Sequence, residues 1–318
     1  MRKFFVVFLT VSLASVCALA QSQQAPTLRI VTEDGNRLPA ELVYGNTKVK
    51  PLRLRPGTNT PITIDDADFF VQQHYVDFLS RFPDQGGFTF WQGEILGCGA
   101  DASCVDLKRQ NVSAAFFLSI EFQQTGYFAY RMHKTAFGNL AGKPVPVRRE
   151  VFMPETRGLL NNVVVGVGAW EQTLNANKAA YTLAFVNRAE FQAAFPSTMT
   201  AAEFVDKLNQ NAEGALDAAE RQLLIDQLTA GGAGNALARA NALRAVADDQ
   251  TLHAAEFNKA FVLMQYFGYL KRNPDDFPDT SFGGWSFWLT KLNDNNGNFV
   301  QAQMVKAFLD SIEYRARF

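Results

Sequence analysis

Cysteine is nearly absent, with 3 residues in a chain of 318, at positions 17, 98 and 104. That excludes a small disulfide-stapled scaffold, and it leaves no second ligand pair for a structural zinc site. Histidine is as scarce. His74, His133 and His253 form no i, i+4 pair that would hold a metal on one helix face, so each reads as a packed or surface residue. An excess of one charge is also missing: 30 Lys+Arg face 31 Asp+Glu, a formal net charge of −1. With no basic surplus to neutralise phosphates, the composition argues against a nucleic-acid partner. Beyond the first twenty residues no apolar run approaches the ~20 residues of a membrane span.

What the chain does have is apolar mass: 47% hydrophobic residues and 28 Phe, enough for one large domain or two ordinary ones. Residues 1–20 read as a secretory signal peptide. Arg2 and Lys3 precede an apolar run from Phe4, and Ala18-Leu19-Ala20 supplies a small-x-small end before Gln21. Cys17 is poorly placed for lipidation, because Val16 and Ala14 depart from a lipobox. Removing two cations with the signal leaves 28 against 31 anions, a net charge of −3. The expected location is therefore outside the cytoplasm, in the periplasm, at the cell surface or released. In an oxidising compartment Cys98 and Cys104, in a Gly/Ala/Asp loop, are expected to form a local disulfide rather than a metal or redox site.

Residues 21–64 look like a short β-like leader, with alternation at Leu28–Thr32, a turn at Asp34-Gly35 and prolines at 51, 56 and 61. After Asp65 the apolar period becomes helical. The helical part divides into 65–199, with repeat units 1 and 2, and 200–318, with a degenerate unit 3 and unit 4. The expected fold class is all-α: repeated helical units, as a helix–loop–helix bundle or short array, behind a small β-rich segment.

The repeat is read directly from the residues. Phe70, Tyr75, Arg81, Pro83 and Asp84 lie over Phe261, Tyr266, Arg272, Pro274 and Asp275 at a constant offset of 191. Trp91 then falls on Trp288 at 197, which places six extra residues in the later loop. Ser119 and Glu121 fall on Ser311 and Glu313 at 192, so the later copy lacks the cysteine loop of the first. A degenerate copy spans Phe128 to Phe191, and a fainter one starts near Phe204.

The pattern Phe-Val-x-x-x-Tyr-x-x-x-Leu-x-Arg-x-Pro-Asp, then Gly-x-x-Phe-Trp and Ala-Phe-x-x-Ser-x-Glu-Phe, resembles the bacterial domain-of-unknown-function family 4214. The likeness is strongest over Phe261 to Phe318. The unit is distantly similar to the linker domains of phycobilisomes, which are assembly parts. The resemblance implies a helical module on exported proteins and no catalytic residues.

The remaining candidates favour packing over chemistry. Arg81 and Arg272 are expected to pair with a carboxylate or loop carbonyl and fix the inter-helix turn. Ser119-x-Glu121 and Ser311-x-Glu313 read as helix-end signals. The apolar run Phe261–Leu270 reads as a central core helix. The acidic stretches Asp275–Asp279 and Asn293–Asn298 would suit calcium, but the spacing of a calcium loop is wrong at its first and twelfth positions. The expectation is a non-catalytic module for a protein or extracellular polymer partner, without a cofactor. The alternatives are a hydrolase of an envelope polymer using Glu94 or Glu121, and a calcium-ordered surface-layer component.

Overall fold

In the computed structural model residues 53–318 are described, preceded by only the backbone of three short antiparallel strands, Leu28–Thr32, Pro39–Tyr44 and Thr47–Lys48. The expected signal segment 1–20 and parts of the leader 21–64 lie outside the described residues. From 53 onward the protein is all-α.

Unit 1 consists of α1 (Ala67–Leu79), α2 (Gln85–Leu96), α3 (Ala102–Leu118) and α4 (Ile120–Gln124). The middle of the chain forms α5 (Gly126–Phe137), α6 (Arg149–Leu159), α7 (Trp170–Val186) and α8 (Ala189–Ala194), then the Ala-rich α9 (Ala201–Asn211), α10 (Ala218–Gly231) and α11 (Ala236–Ala247). Unit 4 opens with α12 (Gln250–Gln265), which widens into a π turn at Tyr266–Leu270, and ends with α13 (Gly283–Asp294), α14 (Met304–Asp310) and α15 (Ile312–Arg315).

Many of these helices start where a short polar side chain accepts from the free N–H groups of the first turn. Asp84 accepts from the Gly87 N–H, and Asp101 from those of Ser103 and Cys104. Thr200 and Asp217 form reciprocal capping boxes with Glu203 and Glu220. The first and last units also stop in the same way. Ser80 after α1 and Lys271 after the π turn are both left-handed, and their N–H groups close on the carbonyls of Tyr75 and Tyr266.

The core is continuous across the middle of the chain. α5 packs on α6, α9, α11 and α12, while α1 meets the π turn and α3 meets α14. The surplus of Phe is spent here: the Phe117 and Phe261 rings stack at 4.3 Å, both sealed from water. Phe261 to Tyr269 are all buried, the environment expected for a run that is apolar on every side. Gly268 lies where Phe78 presses closest. A Cβ there would sit 2.6 Å from the Phe78 ring, so α1 and the π turn approach at a distance that only glycine permits.

Cys98 and Cys104 are bonded, with Cα atoms 5.5 Å apart, across the turn between α2 and α3. Closing so short a loop is expected to stabilise by about 2 kcal/mol. Thermal melts of the oxidised protein and of Cys98→Ser/Cys104→Ser check this; equal midpoints would refute it. Among the described residues no helix is long and apolar enough to cross a membrane.

Candidate functional site

The repeat builds the same cleft twice. In unit 1, α1 brings Tyr75 and the α1–α2 turn brings Arg81 and Asp84, while α2 adds Trp91 and the α3–α4 junction adds Phe116 and Ser119. These line a cleft of about 300 Å³. In unit 4 their partners by offset, Tyr266, Arg272, Trp288, Phe308 and Ser311, line a cleft of about 240 Å³.

One ion pair anchors each cleft. The Arg81 guanidinium grips Glu121 bidentately, Nε to Oε1 at 2.7 Å and Nη2 to Oε2 at 2.8 Å, and Nη1 donates to the Phe82 carbonyl at 3.0 Å. Arg272 does the same to Glu313, at 2.6 and 3.0 Å, and donates to the Asn273 carbonyl at 3.1 Å. Both guanidinium groups lie over the tyrosine ring of their own unit, 4.9 Å from Tyr75 and 5.5 Å from Tyr266. Burial opposes the Arg81 and Arg272 charges, but the glutamate bonds outweigh it and raise both above the ordinary value. Ser119 and Ser311 complete the match. Each hydroxyl accepts from the N–H three residues on, at 3.1 Å, and donates to the carbonyl three residues back, at 2.9 and 2.8 Å.

The glycines at the α2 and α13 starts have one cause. A Cβ on Gly87 would lie 2.1 Å from the Tyr75 hydroxyl, and one on Gly284 would lie 2.5 Å from that of Tyr266. Burial raises both phenols, Tyr266 to about 12. Asp84 is held below the usual carboxylate range, chiefly by the Gly87 N–H it accepts.

In one place the repeat predicted from sequence and the observed contacts differ. Asp275 aligns with Asp84, but the acid beside Arg272 is Asp279, at 2.8 Å from Nη2. The six-residue insertion redirects the loop, and Asp275 pairs instead with Lys143 and Arg148. Pro83 and Pro274 stand in these two loops, the second buried. Phe70 and Phe261 are sealed in the core. In the middle unit Arg188 replaces the capping serine, and α8 starts without a side-chain cap.

The exposed neighbours of the lining residues match as well. Phe90 and Phe287, 57% and 51% exposed, stand edge-on to Trp91 and Trp288 at 4.8 and 4.9 Å. Ile120 and Ile312 are 58% and 88% exposed beside the capping serines.

The candidates for catalysis sit elsewhere or are tied down. Glu94 is paired with Lys108 at 2.6 Å, and Glu121 is fixed on Arg81. A serine–histidine contact exists that the sequence spacing did not reveal, Ser113 Oγ to His74 Nε2 at 2.6 Å. Both residues are sealed in the core, and the other ring nitrogen bonds the Phe70 carbonyl at 2.7 Å, so the pair faces no substrate. His133 meets Glu155 at 2.7 Å, and His253 offers its carbonyl to the Tyr127 hydroxyl. In the acidic loop Asp275 and Asp276 are paired with Arg148, and Asp279 with Arg272. Neither a family model, nor a curated protein, nor a solved structure matches the chain.

Proposed function

We propose that this chain is an exported, non-catalytic module that binds a protein or polymer partner at the cell surface or outside the cell through its two equivalent clefts. The observation that carries this reading is the duplication of exposed apolar residues next to the tryptophan and the capping serine of each cleft. Buried positions recur in any repeated fold because the core must be filled. Water gives no such reason to place Phe and Ile at Phe90/Phe287 and Ile120/Ile312 in both units. The signal-like start and the Cys98–Cys104 bridge support export. The motif resemblance to family 4214 points the same way.

The test is capture from the native envelope with residues 21–318 as bait, compared with Ile120→Glu/Ile312→Glu. Both isoleucines are exposed, so the variant is expected to keep its melting temperature and lose the captured partner. Equal capture by both proteins would refute the reading.

A further inference from the structure

Resting on the binding-module reading, we infer that each cleft takes one uncharged pyranose unit of a glycan chain. Four observations carry this inference.

The first is the mixed lining of each cleft. Rings line it, Tyr75, Trp91 and Phe116 in unit 1 and Tyr266, Trp288 and Phe308 in unit 4; arginine covers the tyrosines, and Trp91 and Trp288 are the rings left half-buried. Arg, Asp and Ser complete the lining, Arg81, Asp84 and Ser119 against Arg272, Asp279 and Ser311. A pyranose ring has both characters: a C–H face that lies on an aromatic ring, and an equatorial rim of hydroxyls that both donate and accept. An apolar side chain would leave the polar groups unmatched, and a carboxylate or phosphate would leave the tryptophan unmatched.

The second is charge. Each cleft sets one cation against two carboxylates, Arg81 with Asp84 and Glu121, and Arg272 with Asp279 and Glu313. The net −1 repels anionic polymers. Asp84 and Asp279 remain 38% and 42% exposed, with lone pairs left to accept from hydroxyl groups.

The third is size. At about 300 and 240 Å³ the clefts fall at or below the small end of ligand sites, of order 300–1,000 Å³, which suits one monomer. The fourth is repetition. The same monomer site occurs twice, each with an exposed Phe90 or Phe287 ring against its tryptophan, as a ligand made of repeated units requires.

The experiment titrates residues 21–318 with neutral hexasaccharides (β-1,4-glucose, α-1,4-glucose and β-1,4-N-acetylglucosamine) and with oligogalacturonate, read by tryptophan fluorescence and calorimetry. The expected result is quenching by at least one neutral hexasaccharide. The same sugar should bind about tenfold more weakly to Trp91→Ala/Trp288→Ala. Should that variant fail to fold, Asp84→Asn/Asp279→Asn removes the rim charge while keeping a side chain that can cap α2, and weaker binding is expected there too. No binding of any neutral hexasaccharide at millimolar concentration would overturn the inference. So would tighter binding of oligogalacturonate, or unchanged affinity in a folded tryptophan variant. An envelope protein captured by the parent and lost with the tryptophans, without sugar binding, would overturn the glycan while leaving the binding module standing.

Discussion

Asp77→Ala is expected to cost about 3–5 kcal/mol of folding stability, the range for breaking a buried ion pair from one side. The Asp77 carboxylate is 2% exposed and receives four donors. Arg317 grips it bidentately at 2.9 and 2.8 Å, Lys271 approaches to 3.0 Å and Gln73 donates at 2.8 Å. Burial alone would lift this acid; the Arg317 and Lys271 charges overcome it and hold it at about 2. Removing the carboxylate strands two cations against the π turn, where Arg317 also donates to the Tyr269 carbonyl at 2.8 Å. Arg317 is the last residue but one, so the pair ties the end of unit 4 to the helix that opens unit 1. Urea denaturation checks the loss, and a change below about 1 kcal/mol would contradict it. A second variant separates charge from packing. Asp77→Ala/Arg317→Met removes the bidentate pair and leaves Lys271 as the one stranded cation, and it is expected to recover part of the loss, because the stranded charges rather than the missing bonds carry most of the cost.

The recurrence of the residues that line the two clefts was legible in sequence because local rules place them, although the clefts themselves were not. A turn arginine, a helix-capping serine and a glycine where a tyrosine hydroxyl passes each recur at short, fixed spacing. The all-α class was legible for the same reason, from helical period and caps. The Asp77–Arg317 clamp was not, since its residues lie 240 apart in the chain and no periodicity relates them. Position 77 aligns with Gly268, so the repeat conceals the acid rather than announcing it. The misplacement of Asp275 has a different cause. An offset can be carried up to an insertion but not through it, and Asp279 reaches Arg272 only by the path the longer loop takes. Ser119-x-Glu121 and Ser311-x-Glu313 were read as helix ends, and the serines are caps. That the glutamates also close on Arg81 and Arg272, 40 and 41 residues away, is a tertiary contact that spacing does not encode.

The second large effect is expected in acid. Between about pH 6.5 and pH 4 the protein should lose about 3 kcal/mol through His74 alone. Burial depresses this imidazole to about 4, against 6.5 when free; Arg109 and Arg317 push the same way, while the Phe70 carbonyl and Asp77 oppose. The hydrogen bonds show why a second proton is unwelcome. Nδ1 donates to the Phe70 carbonyl, so Nε2 accepts from Ser113, whose oxygen accepts the Tyr269 hydroxyl. Protonating Nε2 sets donor against donor and requires the whole buried relay to reverse. The sign follows from linkage. In this window the unfolded chain binds the proton and the folded one does not, so stability falls as pH drops and levels off below about 4. Asp77, held at about 2, keeps its charge throughout the window, and its contribution disappears only in stronger acid. The repeat supplies the control residue. Gln265 occupies the equivalent position in unit 4 and makes the same bond four residues back, Nε2 to the Phe261 carbonyl at 3.0 Å. His74→Gln should therefore keep the local bond and remove the titration. Denaturation midpoints across this pH range are expected to slope in the parent and to slope less in the variant, where His253, also lowered by burial, still titrates, and parallel slopes would refute the assignment to His74.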